Sequence, residues 1–368
     1  MSNTIATERV YSFSAGPAVL PEKVLEQVRD EMMCLPGAGN SILEIGHRTP
    51  AFDEILRGTE NRLRSLLGIN DDYSVLFLQG GSRLQFSMVP MNLLSENESA
   101  DYLVTGSWSQ KAAAEAKELR NVNVVYDGKP KNFNRVPTND EIQRTQDSKY
   151  MYYTSNETIQ GIQFQRTPTA QYDHLVCDAS SDFLSRPIEI DRHAIVYACA
   201  QKNAGPAGVT VVIIRKDLLD SAPKNLPSYM QYKQHADNDS RFNTPPTFAI
   251  YVMGLILKWI EDEVGSLDDM RRRNESKAAM IYDVIDRYSD FYVGHAVESD
   301  RSMMNVTFRF ANETLDSLFK TMAADNHLTS LGGHRSVGGI RASIYNAMPI
   351  EGVKTLADFM NDFAQQNG

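Results

Sequence analysis

Ile195-Val196-Tyr197-Ala198-Cys199-Ala200-Gln201-Lys202-Asn203-Ala204-Gly205-Pro206-Ala207-Gly208-Val209-Thr210-Val211-Val212-Ile213-Ile214 holds two apolar runs, Ile195–Ala200 and Val209–Ile214, with only Gln201–Gly208 between them. Each run is short and apolar and so reads as a buried strand. A connection this short cannot make a parallel crossover, so the second strand is expected to run antiparallel to the first. Working outward, five earlier runs have the same character: Val75–Leu78, Tyr102–Thr105, Val122–Tyr126, Tyr150–Thr154 and His174–Asp178. Helical segments such as Ser109–Leu119 separate several of them. The alternation predicts an α/β architecture: a mostly parallel, seven-stranded sheet covered by helices, with Val209–Ile214 as its antiparallel member.

Two helices precede the sheet. Pro21–Met33 places Val24, Leu25, Val28 and Met32 on one face, with Pro21 suited to the first turn. Thr49-Pro50 opens a second helix, in which Phe52, Ile55, Leu56, Leu63, Leu66 and Leu67 recur at helical spacing until Gly68. Beyond about Ile260 the pattern changes. A long charged helix is expected over Glu261–Arg287, then strand Met303–Phe310, helix Glu313–Ala324, strand Gly339–Tyr345 and helix Glu351–Phe363. The expected division is a large α/β domain over residues 16–260 and a smaller α+β domain from residues 1–15 and 261–368. The polar stretch Lys129–Ser148 reads as surface loop with a short helix.

The 368 residues are enough to bury a core without disulfide or metal staples. A net charge of −10 argues against a broad nucleic-acid footprint but leaves room for a local cluster of arginines around a small anion. The cysteine count is odd, and Cys177 and Cys199 lie in strand-like runs, where an inert buried thiol is the ordinary case. A reducing, cytoplasmic setting is therefore expected. Met1–Val10 has no apolar signal core, and Phe248–Ile260 is too short and too interrupted to span a membrane.

Ligands of open α/β sheets bind beyond the carboxyl ends of the strands, which makes the residues after each strand the candidates. Gln79-Gly80-Gly81-Ser82-Arg83 leads from a strand into a helix and could offer backbone N–H groups to an anion. Asp178 ends one strand, and Lys202 follows another. Taken singly, such residues are more often turn formers, caps or surface groups. Together they match the needs of pyridoxal phosphate: a lysine amine for its aldehyde, a carboxylate beside its pyridine nitrogen, and donors for its phosphate. Trp108, in Thr105-Gly106-Ser107-Trp108, could stack on the ring.

These residues sit within a series of longer matches. Phe13-Ser14-Ala15-Gly16-Pro17, Gly46-His47-Arg48-Thr49, Gly106-Ser107-Trp108-Ser109, Ser155-Asn156-Glu157-Thr158-Ile159-Gln160-Gly161 and Ser180–Pro187 come first. Ala200–Gly208, Asn243-Thr244-Pro245-Pro246-Thr247 and Gly333–Ser343 complete it. In this order and spacing the chain resembles the phosphoserine aminotransferase family, of the fold-type I, aspartate-aminotransferase-like fold. The resemblance implies that Lys202 forms the Schiff base and moves the reacting proton, that Asp178 pairs with the pyridinium nitrogen, and that Trp108 stacks on the ring. It implies that Thr158 lies near the 3′ oxygen, that Ser82 and Arg83 give backbone donors to the phosphate, and that Gln201 assists. Asn243 and Thr244 would reach the phosphate of the other subunit in a homodimer with shared sites. Arg341 would clamp the α-carboxylate, and His47, Arg48, His334 and Arg335 would surround the distal anion.

The implied reaction is transfer of an amino group from L-glutamate to 3-phosphohydroxypyruvate, giving O-phospho-L-serine and 2-oxoglutarate. Ser82 and Leu84 stand where the family often has glycine, and Ala15 where many members have serine. Two rivals on the same fold, a cysteine desulfurase and an alanine-type transaminase, are disfavoured by the placement of the cysteines and the excess of cations. A phosphorylated threonine-like substrate, used in making the cofactor itself, asks for nearly the same pocket. A non-catalytic anion-binding protein would not need the Lys202–Asp178 pair.

Overall fold

The computed structural model describes residues 9–169, 172–223, 225–334 and 338–368. Tyr11–Ser12 (β1) precedes helices Glu22–Glu31 (α1) and Pro50–Leu67 (α2). An alternating stretch follows: Tyr73–Leu78 (β2), Gly81–Leu93 (α3), Ser99–Val104 (β3), Ser107–Lys117 (α4) and Asn121–Asp127 (β4). Then come Met151–Thr154 (β5), Asn156–Glu157 (β6), Ile162–Gln163 (β7), Leu175–Asp178 (β8), His193–Cys199 (β9) and Thr210–Arg215 (β10). Tyr232–Ala236 (α5), Thr247–Trp259 (α6) and Leu267–Arg287 (α7) lead to Tyr292–Gly294 (β11) and Asn305–Phe310 (β12). Leu315–Asp325 (α8), Leu328–Thr329 (β13), Ile340–Ser343 (β14) and Ile350–Asn367 (α9) complete the order.

All seven expected strands join one sheet in the order β2-β10-β9-β8-β5-β3-β4. β10 lies antiparallel between β2 and β9, as the short connection requires. The remaining pairs are parallel. The two faces of the sheet feed different cores, because successive strand side chains alternate. Val75 and Phe77 of β2 pack with α2 and α6, whereas Leu76 and Leu78 pack with α3 and α4. In the second core Tyr102 stacks on Tyr152 at 4.6 Å between ring centroids. The tyrosine hydroxyls there pair with one another, Tyr102 with Tyr150 at 2.9 Å and Tyr152 with Tyr197 at 2.7 Å. Such pairing satisfies groups that burial would otherwise leave unpartnered.

The helix expected over Glu261–Arg287 is two elements. A π-helical turn, Ile260–Val264, continues α6 and ends at Gly265, whose φ of +99° is left-handed. Ser266 then caps α7, its hydroxyl accepting from the Asp269 N–H at 3.1 Å. Within Lys129–Ser148 the short helical pieces are 3-10 turns at Lys129–Lys131 and Asn139–Glu141. Strand β11 pairs antiparallel with β12, which pairs with β14. This three-stranded sheet, α8 and α9 share a core with Phe13 from the N-terminal stretch. No helix among the described residues is long and apolar enough to cross a membrane.

Candidate active site

The parallel strands all end at one edge of the sheet, and the loops beyond that edge enclose a cavity of ≈ 320 Å³. Ser82, Arg83, Trp108, Thr158, Asp178, Gln201, Lys202, His334 and Arg341 line it. The structure therefore brings together nine of the residues singled out from sequence. Their convergence follows from sheet order. Asp178 ends β8, beside Thr154 of β5 on one side and Tyr197 of β9 on the other. Lys202 lies three residues past the end of β9, and Trp108 is in the first turn of α4 after β3.

Lys202 Nζ donates to Thr158 Oγ1 at 2.9 Å and lies 5.6 Å from the centroid of the Trp108 ring. Lys111 Nζ also sits over that ring, at 4.3 Å. The Trp108 Nε1–H is buried and has no acceptor among the described residues. Gly16 adjoins Lys202, where a Cβ would stand 3.4 Å from Lys202 Cγ in ordinary contact, and its φ of +134° is what favours glycine there.

Asp178 is buried and accepts from the Ser180 N–H at 2.9 Å and from the Ser180 hydroxyl. Because a carboxylate only accepts, Ser180 must donate to it, which leaves the Ser82 hydroxyl to donate to Ser180 Oγ at 2.6 Å. Ser82 thus joins the Asp178 network through its side chain, a contact glycine could not make. Burial pushes the Asp178 pKa above the ordinary carboxylate value, while the Ser180 bonds and the charge of Lys202 oppose that shift.

The first turn of α3 follows Gly80, whose φ is +92°, and no side chain caps it. Its opening N–H groups are an anion site in the making, at the positive end of a helix dipole. A Cβ on Gly80 would come within 2.5 Å of Leu84 Cδ2, so the side chain of Leu84 also excludes anything larger there. Amine, carboxylate, aromatic ring and uncapped helix start are the donor set that pyridoxal phosphate needs, and the cavity fits the group.

Glu157 is a residue that sequence reasoning passed over. Its buried carboxylate accepts from the Trp108 N–H at 2.9 Å, the Ser109 N–H at 2.8 Å and the Ser109 hydroxyl at 2.6 Å. It thereby caps α4 and fixes the backbone that carries Trp108. Gln160 adds a reciprocal pair to Ser107, at 3.2 and 2.8 Å. Burial raises the Glu157 pKa and the bonds from Ser109 and Trp108 lower it. Three donors and, among the described residues, no acceptor face it, so the ionised form is the one the site accommodates. A Cβ on Gly106 would stand 2.5 Å from Glu157 Cδ, which explains glycine there.

Four expected site residues lie away from this cavity within one chain. His47 and Arg48 are on the turn before α2, where Thr49 caps the helix, and burial with the nearby charges of Arg48 and Arg241 pushes the His47 pKa down. Asn243 donates to Gln79 Oε1 at 2.8 Å, beside the loop that opens α3, and Thr244 is exposed next to it. Arg335 falls outside the described residues. Arg341 is mostly shielded, its Nε has no partner among the described residues, and burial lowers its pKa. A shielded guanidinium of this kind is ready for a carboxylate.

The class-V aminotransferase family model matches residues 10–356. The chain is 54% identical to a phosphoserine aminotransferase of Rhodopirellula baltica, over 98% of this chain and 96% of that one. The solved phosphoserine aminotransferase of Bacillus circulans subsp. alkalophilus superposes with a TM-score of 0.95 at 45% identity, covering 98% of this chain and all of that one. A pyridoxal-phosphate-bound phosphoserine aminotransferase from Trichomonas vaginalis gives 0.91 at 41% identity, over 96% of this chain and 99% of that one. With its site geometry and these similarities together, the chain belongs to the class-V aminotransferases and, among them, to the phosphoserine aminotransferase family.

Proposed function

We propose that this chain transfers the amino group of L-glutamate to 3-phosphohydroxypyruvate, giving O-phospho-L-serine and 2-oxoglutarate, as a step toward serine. The observation that supports it best is the meeting of Lys202, Asp178, Trp108 and Arg341 at one cavity on the carboxyl edge of the sheet. Pyridoxal 5′-phosphate, the cofactor of this class, supplies the electron sink for charge developing at the substrate Cα. Lys202 would hold it covalently and then carry the proton between the substrate Cα and the cofactor C4′. Asp178, its carboxylate stabilised by the bonds from Ser180 and by an opposite charge against the cost of burial, would hold a proton on the pyridine nitrogen. Trp108 would lie against the ring, Thr158 near its 3′ oxygen, and the N–H groups of Ser82 and Arg83, with Gln201, would face the phosphate.

Arg341 would grip the α-carboxylate shared by both substrates, in the two-pronged geometry of a guanidinium. The distal group is a phosphate in one substrate and a carboxylate in the other, and His334 and Arg335 would meet either. His47, Arg48, Asn243 and Thr244 lie outside the chain's own cavity, which fits a homodimer in which they complete the site of the second copy. The division into residues 16–260 and residues 1–15 with 261–368 would set Lys202 and Arg341 on different domains. The working compartment would be the cytoplasm, which suits three free thiols.

The test is steady-state turnover of L-glutamate with 3-phosphohydroxypyruvate against the phosphorylated threonine-like keto acid, in wild type and Lys202→Ala. Turnover on the first that disappears in Lys202→Ala supports the reading. A fully active Lys202→Ala enzyme refutes it, and preference for the second keto acid reassigns the substrate.

A further inference from the structure

Lys277 lies in the middle of α7, with no exposed surface. Its ammonium group reaches four main-chain carbonyls: Ile344 at 3.0 Å, Tyr345 at 2.7 Å, Asn346 at 3.4 Å and Met348 at 3.2 Å. Desolvation, and to a smaller degree Arg273, push the Lys277 pKa well below its ordinary value. Four convergent carbonyl dipoles act the other way, because an ammonium can donate to them and a neutral amine would turn a lone pair toward one. The arrangement is that of a monovalent-cation site whose cation is tethered to the chain.

The segment it holds is joined to both ends of the reaction centre. It follows directly on β14, which carries Arg341. Asn346 donates its N–H to Asn203 Oδ1 at 2.9 Å, and Asn203 is the residue after Lys202. Asn203 in turn donates to the Ser181 carbonyl at 3.1 Å. Asn274, one turn before Lys277 on α7, donates to Asn346 Oδ1 at 2.8 Å and to the Ser185 carbonyl at 3.2 Å. The Tyr345 hydroxyl donates to the Ala15 carbonyl at 2.9 Å, at the cavity wall.

We infer that Lys277 and Asn274 are positioning residues that register the Arg341 strand against the Lys202 loop. A substrate has to span those two groups, with its α-carboxylate on Arg341 and its amino or keto carbon at Lys202. Misregistry of the two is felt alike in ground and transition states, so it weakens substrate binding more than it slows chemistry. This rests on the amino-transfer reading above.

The test uses cofactor-loaded Lys277→Met, Asn274→Ala and the double variant, each first checked for a cooperative melting transition by circular dichroism. The expected result is a KM for L-glutamate and for 3-phosphohydroxypyruvate raised about tenfold, with kcat within about threefold of wild type. The double variant should be less than additive, because the two residues act on one segment. A purely structural contact would instead lower the folded fraction, and so apparent kcat, with KM unchanged. Folded Lys277→Met with a wild-type KM overturns the inference; if Lys277→Met does not fold, a wild-type KM in Asn274→Ala overturns it. Absence of amino transfer in wild type would fault the functional reading instead.

Discussion

Glu157→Gln isolates the role of one buried charge at almost constant volume. In the native site the Ser109 hydroxyl accepts from the N–H groups of Thr105 at 2.9 Å and Gly106 at 3.0 Å, and its own hydrogen has Glu157 Oε1 at 2.6 Å as a closer acceptor than the Gly106 carbonyl at 3.2 Å. Both carboxylate oxygens therefore face donors: Oε1 the two of Ser109, Oε2 the Trp108 N–H. A glutamine can turn its carbonyl to the Ser109 pair, but its amide hydrogens then meet the Trp108 N–H. One charge-assisted bond is lost, two become neutral, and a buried donor is left unsatisfied. The summed cost is about 3 kcal/mol. Urea denaturation followed by circular dichroism measures this directly. Because the displaced backbone carries Trp108, quenching of tryptophan fluorescence by added cofactor should also show affinity falling about tenfold. A variant within about 0.5 kcal/mol of wild type, with unchanged cofactor affinity, would refute the idea that Glu157 sets the start of α4.

Two further outcomes follow from groups around the site and the core. Arg341→Lys should raise KM for glutamate and for the keto acid together, by about tenfold or more, since a point charge replaces a planar fork; steady-state kinetics on both substrates checks it. His193 is buried, with Nδ1 2.7 Å from the Glu189 carbonyl and Nε2 2.8 Å from the Tyr153 hydroxyl. The carbonyl only accepts, so Nδ1 carries the proton and Nε2 accepts from Tyr153. Burial lowers its pKa from 6.5 to about 4, so between those values the unfolded chain binds a proton that the native one lacks. The contribution is full above pH 6.5 and falls away toward pH 4, by on the order of 3 kcal/mol, and His193→Gln should flatten that part of a melting-midpoint profile.

The interior of the sheet was legible because strands such as β5, β8 and β9 are buried on both faces and so read as plain apolar runs, unlike the edge strand β4, none of whose residues is buried, and the length of Gln201–Gly208 gave the direction of β10. Lys202 and Asp178 were legible for a related reason: a strand's end is visible in sequence, and chemistry gathers at strand ends. The break at Gly265 was hidden by Glu261, Asp262 and Glu263, whose charges extend the helical look, although Gly265-Ser266 followed by Asp269 is a stop and a cap in series. β11 was missed because three residues, two of them exposed, carry no period. Glu157 acts on Trp108 and Ser109 across 49 and 48 residues, which no local pattern records, whereas the bonds from Ser180 to Asp178 close a two-residue turn that a local reading could have found. Lys277 was masked by the charge of α7, yet Met270, Asn274, Lys277, Ile281 and Val284 lie at helical spacing on the buried face, and a lysine inside that stripe was the available signal. The residues proposed for the distal anion were the least legible part, since His47 and Arg48 fall on a turn that does not line the cavity of their own chain.

Amino transfer with a phosphorylated substrate is tested by the visible absorbance spectrum of the cofactor-loaded enzyme before and after adding O-phospho-L-serine or plain L-serine. Phosphoserine should bleach the cofactor–lysine band at concentrations where serine leaves it intact, because the half-reaction and the anion pocket then act together. A band that phosphoserine leaves unchanged, or that serine bleaches equally well, would contradict that reading.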